Sequence, residues 1–435
     1  MGYIRNIIFG GQLLGRSRLN KKDFTRNRKV GFVTLVCMIL NMIRKSTQLE
    51  VDEFLKKFGT DDLINSTYTK QSFSEARQKL SPEAFVMLND EFVHRFYEDN
   101  DFKKYKDFRL LAIDGSCMEI PNSEELRKHY GYATNSNSQK KTARALSSTV
   151  YDVENKIVIS SLLGIYDDNE REFAIKNMDK LKSFNQREVK DLILFDRGYP
   201  SLGFIMYLNK MGIKYVMRTA TSFYEEVTGI KTQDENVEIV ITKERAKGFK
   251  KRGKSIPVGT VIKLRVLKVM LDTGEIETLV TNLTEEELKY EESKELYFKR
   301  WGIETKFDEL KNKFQIENFS GIKPLIIEQD FHATLLLSNI ASIFEQEAED
   351  ELKEDNKKKN LKYEYKINKN ILVGKLKNSL IEMILEENDN NRGLLYDKFL
   401  HEIKRNVVPV IKGRVFERDK GIRTSKHSKT LRRVL

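Results

Sequence analysis

Hydrophobic and polar positions follow four different patterns along the chain. From residue 1 to about 105, apolar residues recur at helical spacing and strand patterns are almost absent. Short apolar or β-branched runs then alternate with helical patterns over 106–345, interrupted at 219–284 by a segment with strand patterns alone. The remainder, 346–435, is helical and rich in Lys, Glu and Asn before a basic tail. The chain is therefore predicted to have an α-helical N-terminal region, an α/β domain with an all-β insertion, and a helical C-terminal region.

The α/β region predicts a mixed sheet flanked by helices. Helical periodicity occurs near 169–183 and 201–212, after the first strand patterns. Strands that come first, with helices interleaved later, are typical of a mixed sheet with helices packed on it. The predicted strands are RLLAI (109–113), MEIP (118–121), STVYDV (148–153), KIVISSLL (156–163), DLILF (191–195) and KYVMR (214–218).

The insertion is predicted to contain three strands and a basic stretch. The basic, Gly-containing stretch covers 243–254 and follows the first strand. Asp272-Thr273-Gly274 lies between the last two strands and is typical of a hairpin turn. The strand patterns are VEIVITK (237–243), TVIKLRVLKVML (260–271) and EIETLVTNL (275–283).

One helical segment, 295–314, places four polar residues on a narrow face. Tyr297, Arg300, Glu304 and Lys311 have offsets of 0, 3, 7 and 14 residues, which correspond to about 0°, 300°, 340° and 320° at roughly 100° per residue. A carboxylate flanked by two cations and a phenol suits phosphate chemistry. The neighbouring arc carries an apolar stripe of Ile303, Phe307, Leu310 and Phe314.

Charge and cysteine content narrow the classes of function. The 435-residue chain has 77 Lys plus Arg against 65 Asp plus Glu, a net charge of +12, which favours nucleic acid over a membrane as the polyanionic partner. Cys37 and Cys117 are the only cysteines, so a disulfide framework and a Cys-rich zinc site are excluded. The longest apolar run, 30–43, is shorter than the roughly 20 residues that span a bilayer. We expect a buried core helix there and a cytoplasmic, nucleoid-associated protein with no membrane partner.

Three carboxylates are candidates for metal ligands. Asp114 and Asp196 end the predicted strands RLLAI and DLILF, and Glu304 comes from the helical face. Mg²⁺ or Mn²⁺ prefers such oxygen donors, and two ions can activate the attacking oxygen and stabilise the leaving one in phosphoryl transfer. Each residue also has an ordinary structural explanation: Asp114 in an Asp-Gly turn, Asp196 as a helix cap and Glu304 as a surface charge.

These residues carry a resemblance to a known family. The chain resembles the DDE transposases of bacterial insertion sequences, specifically the IS-four family, whose signature is Tyr-x2-Arg-x3-Glu-x6-Lys. Tyr297, Arg300, Glu304 and Lys311 match the signature at every position, and the segments AIDGS and LFDRGYPS are similar to the family's two aspartate motifs. The resemblance spans about residues 20–340. It implies a ribonuclease H-like catalytic core with a β insertion before the glutamate helix.

The resemblance also implies roles for individual residues. Asp114, Asp196 and Glu304 would be catalytic and would bind Mg²⁺ or Mn²⁺, as two ions. Arg300 and Lys311 would bind phosphates, and Tyr297 would contact the end nucleotides. Trp301, the only tryptophan, has two explanations, stacking on a displaced base or packing in the core.

The function expected from the resemblance is DNA transposition. Such an enzyme binds terminal inverted repeats, nicks each transposon end to leave a 3′-hydroxyl and joins that end to target DNA, with or without a hairpin intermediate. Its partners are double-stranded DNA, as transposon ends and target, and a second copy of the chain in the synaptic complex. The alternatives are a nuclease that cuts without joining and a DNA-binding protein that has lost catalysis. The basic segments at 16–28 and 243–254 either contact DNA or form solvated surface.

Overall fold

The computed structural model describes most of the chain. Within the predicted basic segments, residues 26–28 and Arg252 lie outside the described residues, and so does the basic tail from residue 412 onward. The described residues are 1–25, 30–59, 68–99, 101–134, 139, 141–181, 184, 189–220, 222–251, 253–357 and 361–411.

Helices dominate the two ends of the described chain, and strands dominate its middle. The helices are α1 (Gly2–Phe9), α2 (Gly11–Ser17), α3 (Phe32–Leu40), α4 (Thr47–Phe58), α5 (Lys70–Arg77), α6 (Glu83–Glu98), α7 (Glu124–Tyr130), α8 (Glu170–Leu181), α9 (Leu202–Lys210), α10 (Glu225–Thr228), α11 (Lys243–Lys251), α12 (Ser293–Phe298), α13 (Trp301–Asn312), α14 (Pro324–Asn356), α15 (Lys369–Leu385) and α16 (Asp389–Lys404). The strands are β1 (Phe108–Glu119), β2 (Tyr132–Thr134), β3 (Lys141–Asp152), β4 (Ile157–Ile165), β5 (Lys190–Phe195), β6 (Lys214–Arg218), β7 (Asp234–Val240), β8 (Val261–Met270), β9 (Ile276–Thr281), β10 (Glu364–Ile367) and β11 (Val407–Val410).

A nine-stranded mixed sheet forms the middle of the molecule. Its order is β2-β3-β1-β5-β6-β9-β8-β7, and β4 pairs with β3. In the core β4-β3-β1-β5-β6, only β3 runs against the others, because it is antiparallel to β1 and β4 while β1, β5 and β6 are parallel. This is the ribonuclease H-like arrangement of strands. The predicted fold class, an α/β core with a mixed sheet flanked by helices, is confirmed.

Strand β1 is longer than predicted. RLLAI and the first two residues of MEIP belong to one continuous strand, since Gly115 and Ser116 between them pair with Ser148 and Ser147 of β3. The cross-strand ladder therefore overrides the turn signal of Asp-Gly. As a result, Asp114 lies inside β1 rather than at its end, whereas Asp196 directly follows β5 as predicted.

The insertion contains helices as well as strands. Its strands β9, β8 and β7 extend the central sheet beyond β6 in an antiparallel order. Helix α10 lies between β6 and β7, and helix α11 lies between β7 and β8, so the segment is β-rich rather than all-β. The basic stretch forms α11 because Phe249 provides a buried anchor on an otherwise charged helix.

Helices from both ends of the chain pack around α14, and one continuous apolar core joins them to the sheet. Asn339 of α14 accepts a hydrogen bond from the Val158 backbone N–H at 2.7 Å and donates one to Asn89 of α6 at 2.8 Å.

The predicted core helix at 30–43 is the buried α3. The predicted boundary between 345 and 346 falls inside α14, which runs from Pro324 to Asn356. The predicted boundaries of the regions stay predictions. Among the described residues, no helix is long and apolar enough to span a bilayer.

A buried ion pair joins the two central strands. Arg109 of β1 lies opposite Asp191 of β5 and is only 1% exposed. Its guanidinium donates two hydrogen bonds to the Asp191 carboxylate, at 2.7 and 3.0 Å. A bidentate pair of this kind is geometrically specific, so it stabilises one register of the parallel pairing.

We expect Asp191→Ala to lower the free energy of unfolding by about 3–5 kcal/mol, because it leaves the buried charge of Arg109 without a partner. Urea unfolding followed by circular dichroism measures the change. The control is Glu98→Ala, which removes an ion pair with Arg95 whose side chains are 62% and 45% exposed and which should change stability by less than about 1 kcal/mol. Equal stability of the two variants would contradict a structural role for the Arg109 pair.

Candidate active site

The pairing of β1 with β5 brings two aspartates side by side. Ala112 lies opposite Leu194 in the parallel ladder, so Asp114 and Asp196, each two residues further along, face the same side of the sheet. The Gly115 N–H donates to Asp114 Oδ1 at 2.8 Å. In the same way, the Gly198 N–H donates to Asp196 Oδ1 at 2.8 Å. Backbone donors therefore hold both carboxylates in place.

The carboxylates of Asp114 and Asp196 lie close enough for their negative charges to repel each other. Burial, followed by the neighbouring charge of Asp196, raises the pKa of Asp114 to about 7, although the Gly115 N–H and Arg300 act in the opposite direction. Two carboxylates this close favour a bound cation, since a cation relieves their repulsion. The oxygen donors fit a hard divalent ion such as Mg²⁺ or Mn²⁺.

The predicted single helix at 295–314 is two helices, α12 and α13, with a tight turn between them. Here the Arg300 N–H donates to the Tyr297 carbonyl at 3.0 Å, and the Gly302 N–H donates to the Lys299 carbonyl at 2.9 Å. These three-residue bonds replace the four-residue bonds of an α-helix. The apolar stripe is buried as predicted, at Ile303, Phe307, Leu310 and Phe314.

The polar face of these helices contacts β1 and β5 at both ends. Tyr297 is buried, and its hydroxyl donates to the carbonyl of Phe195, directly before Asp196, at 3.3 Å. Lys311 Nζ donates to the carbonyl of Cys117 in β1 at 2.7 Å. Both side chains thus hold the helices against the strands that carry the aspartates, and their predicted contacts with DNA stay predictions.

Arg300 lies between the sheet and Glu304. Its Nη2 is 2.7 Å from Glu304 Oε1, and its Nη1 is 4.0 Å from Asp114 Oδ2. The side chain is 7% exposed, and its Nε has no hydrogen-bond partner among the described residues. Arg300 therefore compensates carboxylates on both sides of the site.

Trp301 is not a core residue. It is 41% exposed, and its neighbour Phe298 is 70% exposed, so the expectation of core packing is wrong. The Arg300 guanidinium carbon lies 5.5 Å from the Trp301 ring. An exposed aromatic ring beside a buried cation is compatible with the other explanation, base stacking.

Glu304 does not join the aspartates directly. Across the described part of the chain, no three His, Cys, Asp or Glu side chains lie close enough together to hold a metal ion as they stand. The structure brings Asp114 and Asp196 together, and Arg300 links Glu304 to them. Closing the metal site would require Glu304 to exchange this ion pair for metal coordination.

A further carboxylate, Glu170, lies beside the aspartates. Its Oε1 would be 2.9 Å from a Cβ atom at Gly115, so its side chain lies along the backbone next to Asp114. Its place in the sequence does not single it out, because the run Asp167-Asp168-Asn169-Glu170 is typical of a helix start rich in acidic residues. Only the packing of α8 against the sheet indicates its position.

Comparison with known structures gives low overall similarity. The cryo-EM structure of the piggyBac transposase synaptic complex with hairpin DNA aligns over 94% of this chain and 86% of that chain, with 12% identity and a TM-score of 0.43. The crystal structure of the Mos1 mariner paired end complex with Mn aligns over 45% of this chain and 61% of that chain, with 10% identity and a TM-score of 0.18. The Drosophila P element transposase strand transfer complex aligns over 82% and 79%, with 12% identity and a TM-score of 0.17.

Sequence comparison is more informative. No curated protein matches the chain at a significant level. The family model described as "Transposase DDE domain" matches residues 105–340, which is more than half of the chain and includes both aspartates and Glu304. The chain therefore belongs to the transposase DDE domain family.

Proposed function

We propose that this protein is a DNA transposase of an insertion sequence, of the IS-four type. It binds the terminal inverted repeats of its element and catalyses divalent-metal-dependent strand cleavage and strand transfer. The observation that carries the proposal is the site itself: Asp114 in β1 and Asp196 directly after the parallel strand β5, with Glu304 opposite them across Arg300. Membership of the transposase DDE domain family supports it.

The proposed metal ligands are Asp114, Asp196 and Glu304, with Mg²⁺ or Mn²⁺ as two ions. Metal bound at these carboxylates would supply activation of the attacking oxygen and stabilisation of the leaving oxygen. The Gly115 and Gly198 N–H groups orient the two aspartates for this role. Asp114 must lose its proton before it can bind a metal ion, and its raised pKa makes this step depend on pH near neutrality.

In this proposal, Arg300 exchanges one anion for another. Without DNA its guanidinium pairs with Glu304, and on DNA binding the same fork takes a phosphate near the cleaved end. The exchange frees Glu304 to face the aspartates. Lys311, which is partly exposed, adds a second phosphate contact, and Trp301 offers a stacking surface for a displaced base.

The proposed partners are double-stranded DNA, as transposon ends and target, and a second copy of the chain in the synaptic complex. The net charge of +12 favours such a polyanion. The N-terminal helices are the proposed site of end recognition, and the proposed location is the cytoplasm, in association with the nucleoid.

We expect Asp114→Asn, Asp196→Asn and Glu304→Gln each to reduce cleavage of labelled element ends by about a thousandfold, because each removes several kcal/mol of charge stabilisation. End binding, measured by gel shift without metal, should change little. The control is Asp308→Asn, an exposed carboxylate four residues after Glu304 on α13, which should cleave normally.

The same assay tests the reaction class. Nicked ends that become covalently joined to target DNA are the expected products. Cleavage without joining under several target conditions would instead indicate a nuclease. If the wild-type protein binds ends but never cleaves them in Mg²⁺ or Mn²⁺, the enzymatic proposal is wrong.

We expect Arg300→Ala to slow end cleavage by about tenfold to a hundredfold, since a hydrogen-bonded charge contributes about 1.5–3 kcal/mol. Mn²⁺ binding, measured by calorimetry without DNA, should be retained or tighter because a competing cation has gone. Lys299→Ala is the matched control, because Lys299 pairs with Glu154, away from the site. Weaker Mn²⁺ binding in Arg300→Ala, or cleavage equal to the control, would contradict the proposed exchange.

A further inference from the structure

Helix α11 and the residues directly after it present a row of lysines to solvent, which we call the α11 lysine surface. All of these lysines are exposed, and among the described residues none of them forms an ion pair with a carboxylate. Arg245 of the same helix differs, because its Nη1 pairs with Glu226 at 2.8 Å. The α11 lysine surface consists of Lys243, Lys247, Lys250, Lys251 and Lys254.

Electrostatics within the helix does not explain this arrangement. Lys243, Lys247 and Lys251 follow one another at four-residue spacing, at which like charges are neighbours and destabilise a helix. The negative C-terminal end of a helix favours lysines in the last turn, such as Lys250 and Lys251, but the positive N-terminal end disfavours Lys243. A partner with many negative charges would compensate the repulsion.

The α11 lysine surface begins next to the turn that carries Asp196. Phe249 of α11 is buried, and its Cε1 lies 3.3 Å from the position of a Cβ at Gly203. Lys254 Nζ lies 3.8 Å from the same position. Gly203 is in the first turn of α9, shortly after Asp196 and the exposed Arg197. The contact with α9 therefore places a basic surface beside the candidate active site.

This surface and the polar face of α13 lie on opposite sides of the central sheet. In the ladder of β1 with β5, Phe195 is aligned with the residue before Asp114, so the two side chains point to opposite faces. Asp114 faces Arg300. Phe195 instead packs on Phe204 of α9, with ring centroids 5.2 Å apart. Cationic groups thus flank the carboxylates on both faces of the sheet.

The dimensions of the surface fit a run of phosphates better than a single phosphate. Lys243 and Lys251 are eight residues apart on α11, which is about 12 Å at 1.5 Å per residue. One strand of B-DNA has a phosphate roughly every 3.4 Å along the helix axis, so this length corresponds to about three or four phosphates. The chemistry that matches the surface is the backbone of a DNA duplex.

We propose that the α11 lysine surface binds the phosphate backbone of the end duplex, on the opposite side of the carboxylates from Arg300. The contact is independent of base sequence, because lysine-phosphate pairs carry no sequence information. It holds the duplex across the edge of the sheet where Asp114 and Asp196 lie. The inference rests on the proposed function for the identity of the DNA.

The test is the salt dependence of DNA binding by the full chain, measured by fluorescence anisotropy without metal over a series of KCl concentrations. The double variant Lys247→Ala/Lys251→Ala should bind an end duplex more weakly. Its plot of log K against log salt should be less steep by about 1.8, since each lost phosphate contact removes about 0.9 from the slope. A duplex of unrelated sequence should show the same change in slope.

The matched control is Lys353→Ala/Lys357→Ala, which removes two exposed lysines at the same four-residue spacing near the end of α14. These lysines pair with Asp350 and Glu354. The control has the same change in net charge, and it should keep the wild-type slope. Thermal unfolding checks that both variants are folded, and Lys247→Ala/Lys251→Ala should be at least as stable as the wild type because like charges are removed.

A second measurement locates the contact on the DNA. Neutral methylphosphonate replaces one phosphate at a time along the end duplex, and positions at which wild-type binding weakens are recorded. One contiguous block of these positions should have no effect in Lys247→Ala/Lys251→Ala, because the partners of those phosphates are gone. The control variant should retain the whole wild-type pattern.

The outcomes separate this inference from the proposed function. If Lys247→Ala/Lys251→Ala has the same slope as the control, or the same methylphosphonate pattern, the α11 lysine surface does not bind DNA, whatever the cleavage assay shows. If the slope and the pattern change as expected while the wild type never cleaves element ends, the DNA-binding surface stands and the transposase proposal fails.

Discussion

The parallel pairing of β1 with β5 is the constraint on which the rest of the site depends. The buried pair of Arg109 and Asp191 stabilises one register of that pairing. A slip of one residue would turn Asp114 or Asp196 to the opposite face of the sheet, because side chains alternate along a strand. The ion pair and the candidate active site lie in the same two strands, so the stability of the core and the geometry of the carboxylates have a common origin.

Helix α13, which carries Glu304, forms ion pairs on two opposite sides. On its inner side, Lys306 is buried and donates to Glu309 at 3.0 Å and to Ser342 of α14 at 3.3 Å. Burial would raise the pKa of Glu309, but Lys306 and Lys369 outweigh it and lower the pKa to about 2. This network fixes α13 against α14, whereas the Arg300 pair on the other side is partly exposed at Glu304. The helix is therefore held by buried contacts on its packed side, whereas its ion pair on the side of the carboxylates is partly open to solvent.

Much of the fold could be predicted because its strands are short apolar runs with clear ends. KYVMR coincides with β6, and DLILF differs from β5 by one residue. The failures occurred where long-range pairing outweighed a local signal. Asp114 and Gly115 pair with β3 within a continuous strand instead of forming a turn. The charged stretch after β7 is helical, with Phe249 buried. Trp301 is exposed because its position on the helix lies away from the apolar stripe, as helical periodicity at roughly 100° per residue already places it.

The sequence by itself determined the residue types and the local elements of the site: two aspartates at the ends of predicted strands, and a polar helical face with an apolar stripe beside it. Periodicity contains this information because side-chain direction follows from 3.6 or 2 residues per repeat. Only the tertiary structure decided that Arg300 separates Glu304 from Asp114, that Tyr297 is buried against Phe195, and that Glu170 lies over Gly115. These contacts join residues far apart in the chain or depend on which rotamer the packing allows, and spacing along the sequence contains neither.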